Sequence, residues 1–160
     1  MITKTEKMLC HRRVAKEYLD LKSCPLPNLK VEHRKSDHLD WYCVIHDLAD
    51  EEFLGGEYIL NIKLSPRYPF EAPDFYLLTP NGRFETNQKL CFSNSSFHQE
   101  SWSPIWNIKS LMLGFLSVFL EKSSTGVGHM LSTNEVKIQF AGQSKQYNAE
   151  QHASIMELFK

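Results

Sequence analysis

No apolar run in this chain is long enough to cross a bilayer. The longest, residues 111–120, is broken by Gly114 and Ser117 and falls well short of the roughly 20 residues that a spanning helix needs. Net charge is equally scarce. Eighteen basic against 19 acidic residues leave a formal charge of −1, which gives no electrostatic case for binding nucleic acid or an anionic membrane. Cysteine occurs only at positions 10, 24, 43 and 91, with no CxxC pair to suggest zinc or a redox dithiol. The N-terminus, MITKTEKM, lacks the apolar core of a secretory signal. These absences point to a cytosolic or nuclear chain whose thiols are free.

What is present is enough for one domain with a real core: 160 residues, 42% of them hydrophobic. Thr3 and Glu6 have capping-box spacing, and Cys10, Val14, Tyr18 and Leu21 recur on one face, so a first helix is expected over residues 4–22. Its other face is basic, with Lys4, Lys7, Arg12, Arg13 and Lys16. On pattern alone that is a solvated helix surface. Pro25 and Pro27 end the helix.

From Leu29 the period changes to two. Leu39, Trp41, Cys43 and Ile45 alternate with Asp40, Tyr42 and Val44; Tyr58, Leu60, Ile62 and Leu64 repeat the pattern after Gly55 and Gly56; residues 75–78 form a further run. Short connections favour an antiparallel meander. Cys43 falls on the core side, as a buried thiol. Three prolines within residues 65–73 make a stiff loop that holds Tyr68 and Phe70, either as caps on the core edge or as a partner-binding surface.

Residues 79–106 form a long polar stretch containing a turn (Thr79, Pro80, Asn81, Gly82), Cys91, and two tryptophans, Trp102 and Trp106, bracketing Ser103, Pro104 and Ile105. Loops of more than about 12–15 residues in a compact domain are usually functional or disordered. A thiol in an ordered surface segment is placed to meet a partner, and its thiolate is the reactive form. Asn107 can cap a helix carrying Ile108, Leu111, Met112, Phe115 and Phe119. Residues 121–128 read as a link. Ser132 with Glu135, and Asn148 with Gln151, have capping-box or related spacing and are expected to open two further helices, the last with Ile155, Met156 and Phe159 on its apolar side. The expected fold is α+β: a four-stranded antiparallel meander flanked by an N-terminal helix, a central helix and C-terminal helices, in a single domain over residues 1–160.

Tyr68, Pro69 and Phe70 ending at Pro73, then Pro80 and Asn81, Cys91, Trp102 and Pro104, in that order behind a basic helix, resemble a ubiquitin-conjugating enzyme over nearly the whole chain. Family members usually have histidine where this chain has Thr79, and they place the cysteine two residues nearer the asparagine. The TPNGRF sequence, the longer approach to the cysteine and the insertion over residues 95–100 with His98 resemble the subfamily associated with degradation at the endoplasmic reticulum.

The resemblance implies that Cys91 accepts ubiquitin as a thioester from a ubiquitin-activating enzyme. It then passes ubiquitin, with a RING-type ligase, to lysine or hydroxyl acceptors on protein substrates, in protein quality control. Thiolates are strong nucleophiles and thioesters yield readily to nitrogen. Asn81 has an amide able to donate to the oxyanion, or to pin its own turn. Many relatives have an acidic residue in the link after the central helix; here Ser123 and Ser124 stand there, and His98 is the titratable candidate for orienting an acceptor, or else it only orders the insertion. Phe70, Ser103, Pro104 and the Arg12 and Arg13 side correspond to the surface facing the ligase and activating enzyme. ATP is used by the activating enzyme, so neither cofactor nor metal is expected on this chain, and no membrane segment. Such proteins usually have a C-terminal anchor, so the expected location is cytoplasmic, at the cytosolic face of the endoplasmic reticulum if an anchor absent from this sequence supplies it. Rival readings are a noncatalytic binding module on the same scaffold, conjugation of a ubiquitin-like modifier, and a cysteine hydrolase using Cys91 and His98, for which no third group is evident.

Overall fold

A computed structural model describes residues 1–90, 100–122 and 128–160. Helix α1, Lys4–Ser23, opens on the expected capping box, in which the Glu6 N–H donates to Thr3 Oγ1 and the Thr3 N–H to Glu6 Oε2. It buries Cys10, Val14, Glu17 and Leu21. Four strands follow: β1 (Leu29–Arg34), β2 (Asp37–Ile45), β3 (Tyr58–Lys63) and β4 (Asp74–Leu77). They form an antiparallel sheet in the order β1-β2-β3-β4, as alternation and short connections require.

The sheet has two faces because successive side chains point to opposite sides. Val31, Cys43, Leu60 and Leu77 are aligned by register on the inner face. They meet helix α2, Ile108–Leu120, whose Leu111, Met112, Phe115 and Phe119 are buried in the same cluster. Burying each such side chain stabilises the fold by roughly 1.5–3 kcal/mol. On the outer face, Tyr42, Val44 and Ile59 are covered by Ile155, Met156, Leu158 and Phe159, which belong to helix α4 (Ala153–Met156) and a terminal 3-10 turn, Glu157–Phe159. Among the described residues no helix is long and apolar enough to cross a membrane.

Two helix starts differ from expectation. Helix α3, Asn134–Gln151, is capped by Thr133, whose Oγ1 accepts from the Val136 N–H; Ser132 Oγ instead donates to Gly82 O at 2.6 Å. Asn148 opens no helix. It lies inside α3, buried, because its carboxamide has partners elsewhere in the fold, and the last helix begins at Ala153.

Candidate functional site

The turn at residues 79–84 is built from buried polar groups. Thr79, fully buried, accepts from the Ile59 N–H at 3.0 Å and donates to Asn148 Oδ1 at 2.6 Å. Asn148 Nδ2 donates to Glu57 O at 2.8 Å, and the Glu57 N–H donates to Ser144 Oγ at 2.9 Å. Thus the start of β3, the turn and α3 share one polar seam. A histidine at position 79 would need a different partner set, and this gives the threonine of the TPN sequence a physical reason.

Asn81 is 1% exposed, and its carboxamide is fully engaged with main chain. Nδ2 donates to Thr79 O at 2.9 Å and Phe84 O at 3.1 Å, while Oδ1 accepts from the N–H groups of Arg83 at 2.8 Å and Phe84 at 2.7 Å. Gly82 has φ +81°, and a Cβ there would stand 2.7 Å from Ser132 Oγ, so only glycine fits. Phe84 packs on Phe115 and Phe119, tying the turn to α2. Arg83 is 4% exposed, and burial pulls its guanidinium below the ordinary arginine value, with Glu121 opposing.

The chain leading to the cysteine meets this turn through Gly128. The Glu85 N–H donates to Gly128 O at 2.7 Å. Gly128 has φ +86°, and a Cβ there would stand 2.6 Å from Leu90 Cδ2. Leu90 is itself buried and donates its N–H to Phe75 O. Cys91 is the next residue; Cys91, His98, Ser123 and Ser124 lie outside the described residues. Of the other cysteines, Cys43 is fully buried, and burial pushes its thiol far up.

A second surface lies at the other end of α2. Tyr68 is buried and Phe70 is 52% exposed; the first caps the core and the second stands out. Phe70 and Pro69 line a groove of about 250 Å³ with Leu9, Arg12, Arg13 and Lys16. Trp102 Nε1 donates to Pro69 O at 2.7 Å, which ties together the two loops expected to face a ligase. Trp102 and Trp106 stand edge to face at 5.6 Å, and between them Ser103 is half-buried while Pro104 and Ile105 are exposed.

Arg12 is exposed, but Arg13 spends its guanidinium internally. It donates to Pro104 O at 2.9 Å, Trp106 O at 2.8 Å and Glu17 Oε1 at 2.5 Å. Glu17, buried, also accepts from the Tyr68 hydroxyl at 2.7 Å and from the Ile108 N–H at 2.7 Å, at the first turn of α2, where the helix end favours a negative charge. Sequence reasoning missed Glu17, Arg83 and the Thr79 partner. A carboxylate on the apolar stripe of α1 was the one available signal.

An antiparallel four-stranded sheet with this helix order is the fold that the resemblance to ubiquitin-conjugating enzymes implies. The sequence profile of the family described as "Ubiquitin-conjugating enzyme" matches residues 13–153. The chain belongs to that family, a family of transferases. It is 34% identical over 150 residues to "Ubiquitin-conjugating enzyme E2 J2-like" of Dictyostelium discoideum, covering 94% of this chain and 87% of the relative. It is 36% identical over 141 residues to "Ubiquitin-conjugating enzyme E2 34" of Arabidopsis thaliana, covering 88% of this chain and 59% of that protein. To "Ubiquitin-conjugating enzyme E2 J2" of Homo sapiens it is 33% identical over 148 residues, covering 92% and 56%. The chain therefore spans little more than half the length of two of these three relatives.

Proposed function

We propose that this chain takes ubiquitin from an activating enzyme as a thioester on Cys91 and passes it, with a RING-type ligase, to lysine side chains of protein substrates. The thiolate attacks the activating enzyme's thioester carbonyl and expels that enzyme's thiolate. An acceptor amine then attacks the new thioester, the amide bond forms, the amine loses a proton, and the Cys91 thiolate leaves.

The observation that carries this reading is the convergence of the Asn81 turn, Gly128 and Leu90, the residue before Cys91. Each attack places negative charge on the carbonyl oxygen, and a donor aimed at that oxygen contributes roughly a hundredfold to a thousandfold in rate. Asn81 supplies one by exchanging its longer bond, the 3.1 Å contact to Phe84 O, for the oxyanion. His98, Ser123 and Ser124 act on the acceptor, His98 by orienting a lysine or hydroxyl nucleophile; His98→Ala leaving hydroxyl and lysine discharge in unchanged ratio overturns that role. Phe70, Arg12, Ser103 and Pro104 face the ligase. The subfamily resemblance supports a role in protein quality control at the cytosolic face of the endoplasmic reticulum.

The test is incubation with activating enzyme, ATP and labelled ubiquitin, followed by gels with and without thiol reductant. A reductant-sensitive adduct that is lost in Cys91→Ala supports the transferase. No adduct favours a noncatalytic binding module, and an adduct formed only with a ubiquitin-like protein and its own activating enzyme would change the modifier.

A further inference from the structure

Arg83 is buried and charged in a place where no acidic side chain among the described residues is hydrogen-bonded to it. Its guanidinium instead caps a helix: Nη2 donates to Val118 O at 2.9 Å and Nε to Glu121 O at 3.1 Å, while Nη1 lies 3.3 Å from His129 Nδ1. The plane also stands over the Phe84 ring at 4.9 Å. Val118 O also accepts from the Glu121 N–H at 3.2 Å; carbonyls at the end of a helix are short of intrahelical donors, and a cation is favoured at that negative end. The guanidinium is therefore fixed by α2, by His129 and by the ring beside it.

The main chain of the same residue holds the asparagine. The Arg83 N–H and the following Phe84 N–H both donate to Asn81 Oδ1, and the Arg83 carbonyl accepts from the Met130 N–H at 3.1 Å. One residue is thus anchored through its side chain to the end of α2 and through its peptide groups to the Asn81 carboxamide and the 128–130 segment.

We infer that Arg83 is a positioning residue for ubiquitin transfer. By locking the 83–84 peptide units to the end of α2, it holds the Asn81 carboxamide where it assists the reaction at Cys91. The inference rests on the transfer reading above and adds to it a residue that touches neither ubiquitin nor acceptor. Lysine is a poor substitute, because a single ammonium lacks the planar fork that reaches two carbonyls and an imidazole together.

The experiment is a single-turnover assay. The protein is loaded with ubiquitin, the activating enzyme is stopped, and discharge to free lysine is followed over a range of lysine concentrations for the parent, Arg83→Lys and Arg83→Gln, with thermal melting in parallel. The maximal discharge rate of Arg83→Gln falls about tenfold to a hundredfold, as misplacing a catalytic group by about an ångström does. The half-saturating lysine concentration is unchanged, and Arg83→Lys lies between. Because Arg83→Gln removes a buried helix cap, Arg83→Lys is also examined by NMR in the folded state, where the Asn81 side-chain amide protons lose protection from exchange. Parental discharge in both variants, or a loss of loading, discharge and stability in the same proportion with Asn81 protection retained, overturns the inference and leaves the transfer reading standing. Absence of any thioester in the parent protein overturns both.

Discussion

Thr79 Oγ1 donates to Asn148 Oδ1 across 2.6 Å, joining residues 69 apart in sequence inside the buried core. The same hydroxyl accepts the Ile59 N–H, so one threonine satisfies a strand and a helix at once. Thr79→Val keeps the shape and removes both bonds. Leaving a buried polar group unpaired costs about 1–3 kcal/mol, so Thr79→Val lowers unfolding free energy by about 2 kcal/mol or more in urea. The double variant with Asn148→Ala loses less than the sum of the two single changes, because the partners share one interaction. Strict additivity would mean that the two side chains do not interact.

Phe70 is half exposed beside the groove formed with Arg12, on a loop whose prolines limit the entropy lost on binding. Phe70→Ala shifts stability by less than about 1 kcal/mol and lowers ligase-stimulated discharge about tenfold or more, the range for an aromatic anchor. Thioester formation on Cys91 stays near the parental rate. Equal loss of loading and discharge would assign Phe70 to the fold.

Arg12 and Arg13 are neighbours with different duties. Arg13→Ala deprives Glu17 of its cation and the Pro104 and Trp106 carbonyls of their donor. Its guanidinium is partly exposed, so solvent screening limits the loss to about 1–2 kcal/mol. Arg12→Ala, at an exposed site, stays within about 0.5 kcal/mol and weakens partner binding alone. Chemical unfolding of the two variants side by side separates the mount from the contact.

His38 gives the fold a dependence on acid. Burial lowers its value below the ordinary imidazole value, and the nearby His11 and His33 add to this while Asp37 opposes. The His11 and His38 rings stand 5.0 Å apart. A depressed imidazole means that the unfolded chain binds more protons than the folded one, so this contribution is complete above about pH 6.5 and is lost as the pH falls from there through the lower folded value. His38→Gln therefore narrows the gap between urea midpoints measured at about pH 7.5 and pH 5.5. An unchanged gap would remove His38 from the account.

Much of the architecture was legible in the chain. Helix α1 and its Thr3 box, the alternation in β2 and β3, and the spine of α2 follow from local periodicity, which a few successive residues carry. The same local signal misled at Asn148, where an asparagine followed three residues later by a glutamine looks like a cap. The physical reason is that a carboxamide satisfies a helix terminus or a distant hydroxyl equally well, and only the fold supplies Thr79.

The sequence by itself determined the family and the strand and helix order, and it names Cys91 and Asn81 as the residues that the proposed transfer would use. Tertiary structure decided which polar residues are mounts: Glu17 beneath α2, Arg13 behind the tryptophan loop, Asn148 under Thr79 and Arg83 behind Asn81. Periodicity is a property of neighbours in the chain, whereas Glu17 and the Ile108 N–H are 91 residues apart. A buried charge finds its partner only when separate elements have packed and water has been excluded from between them.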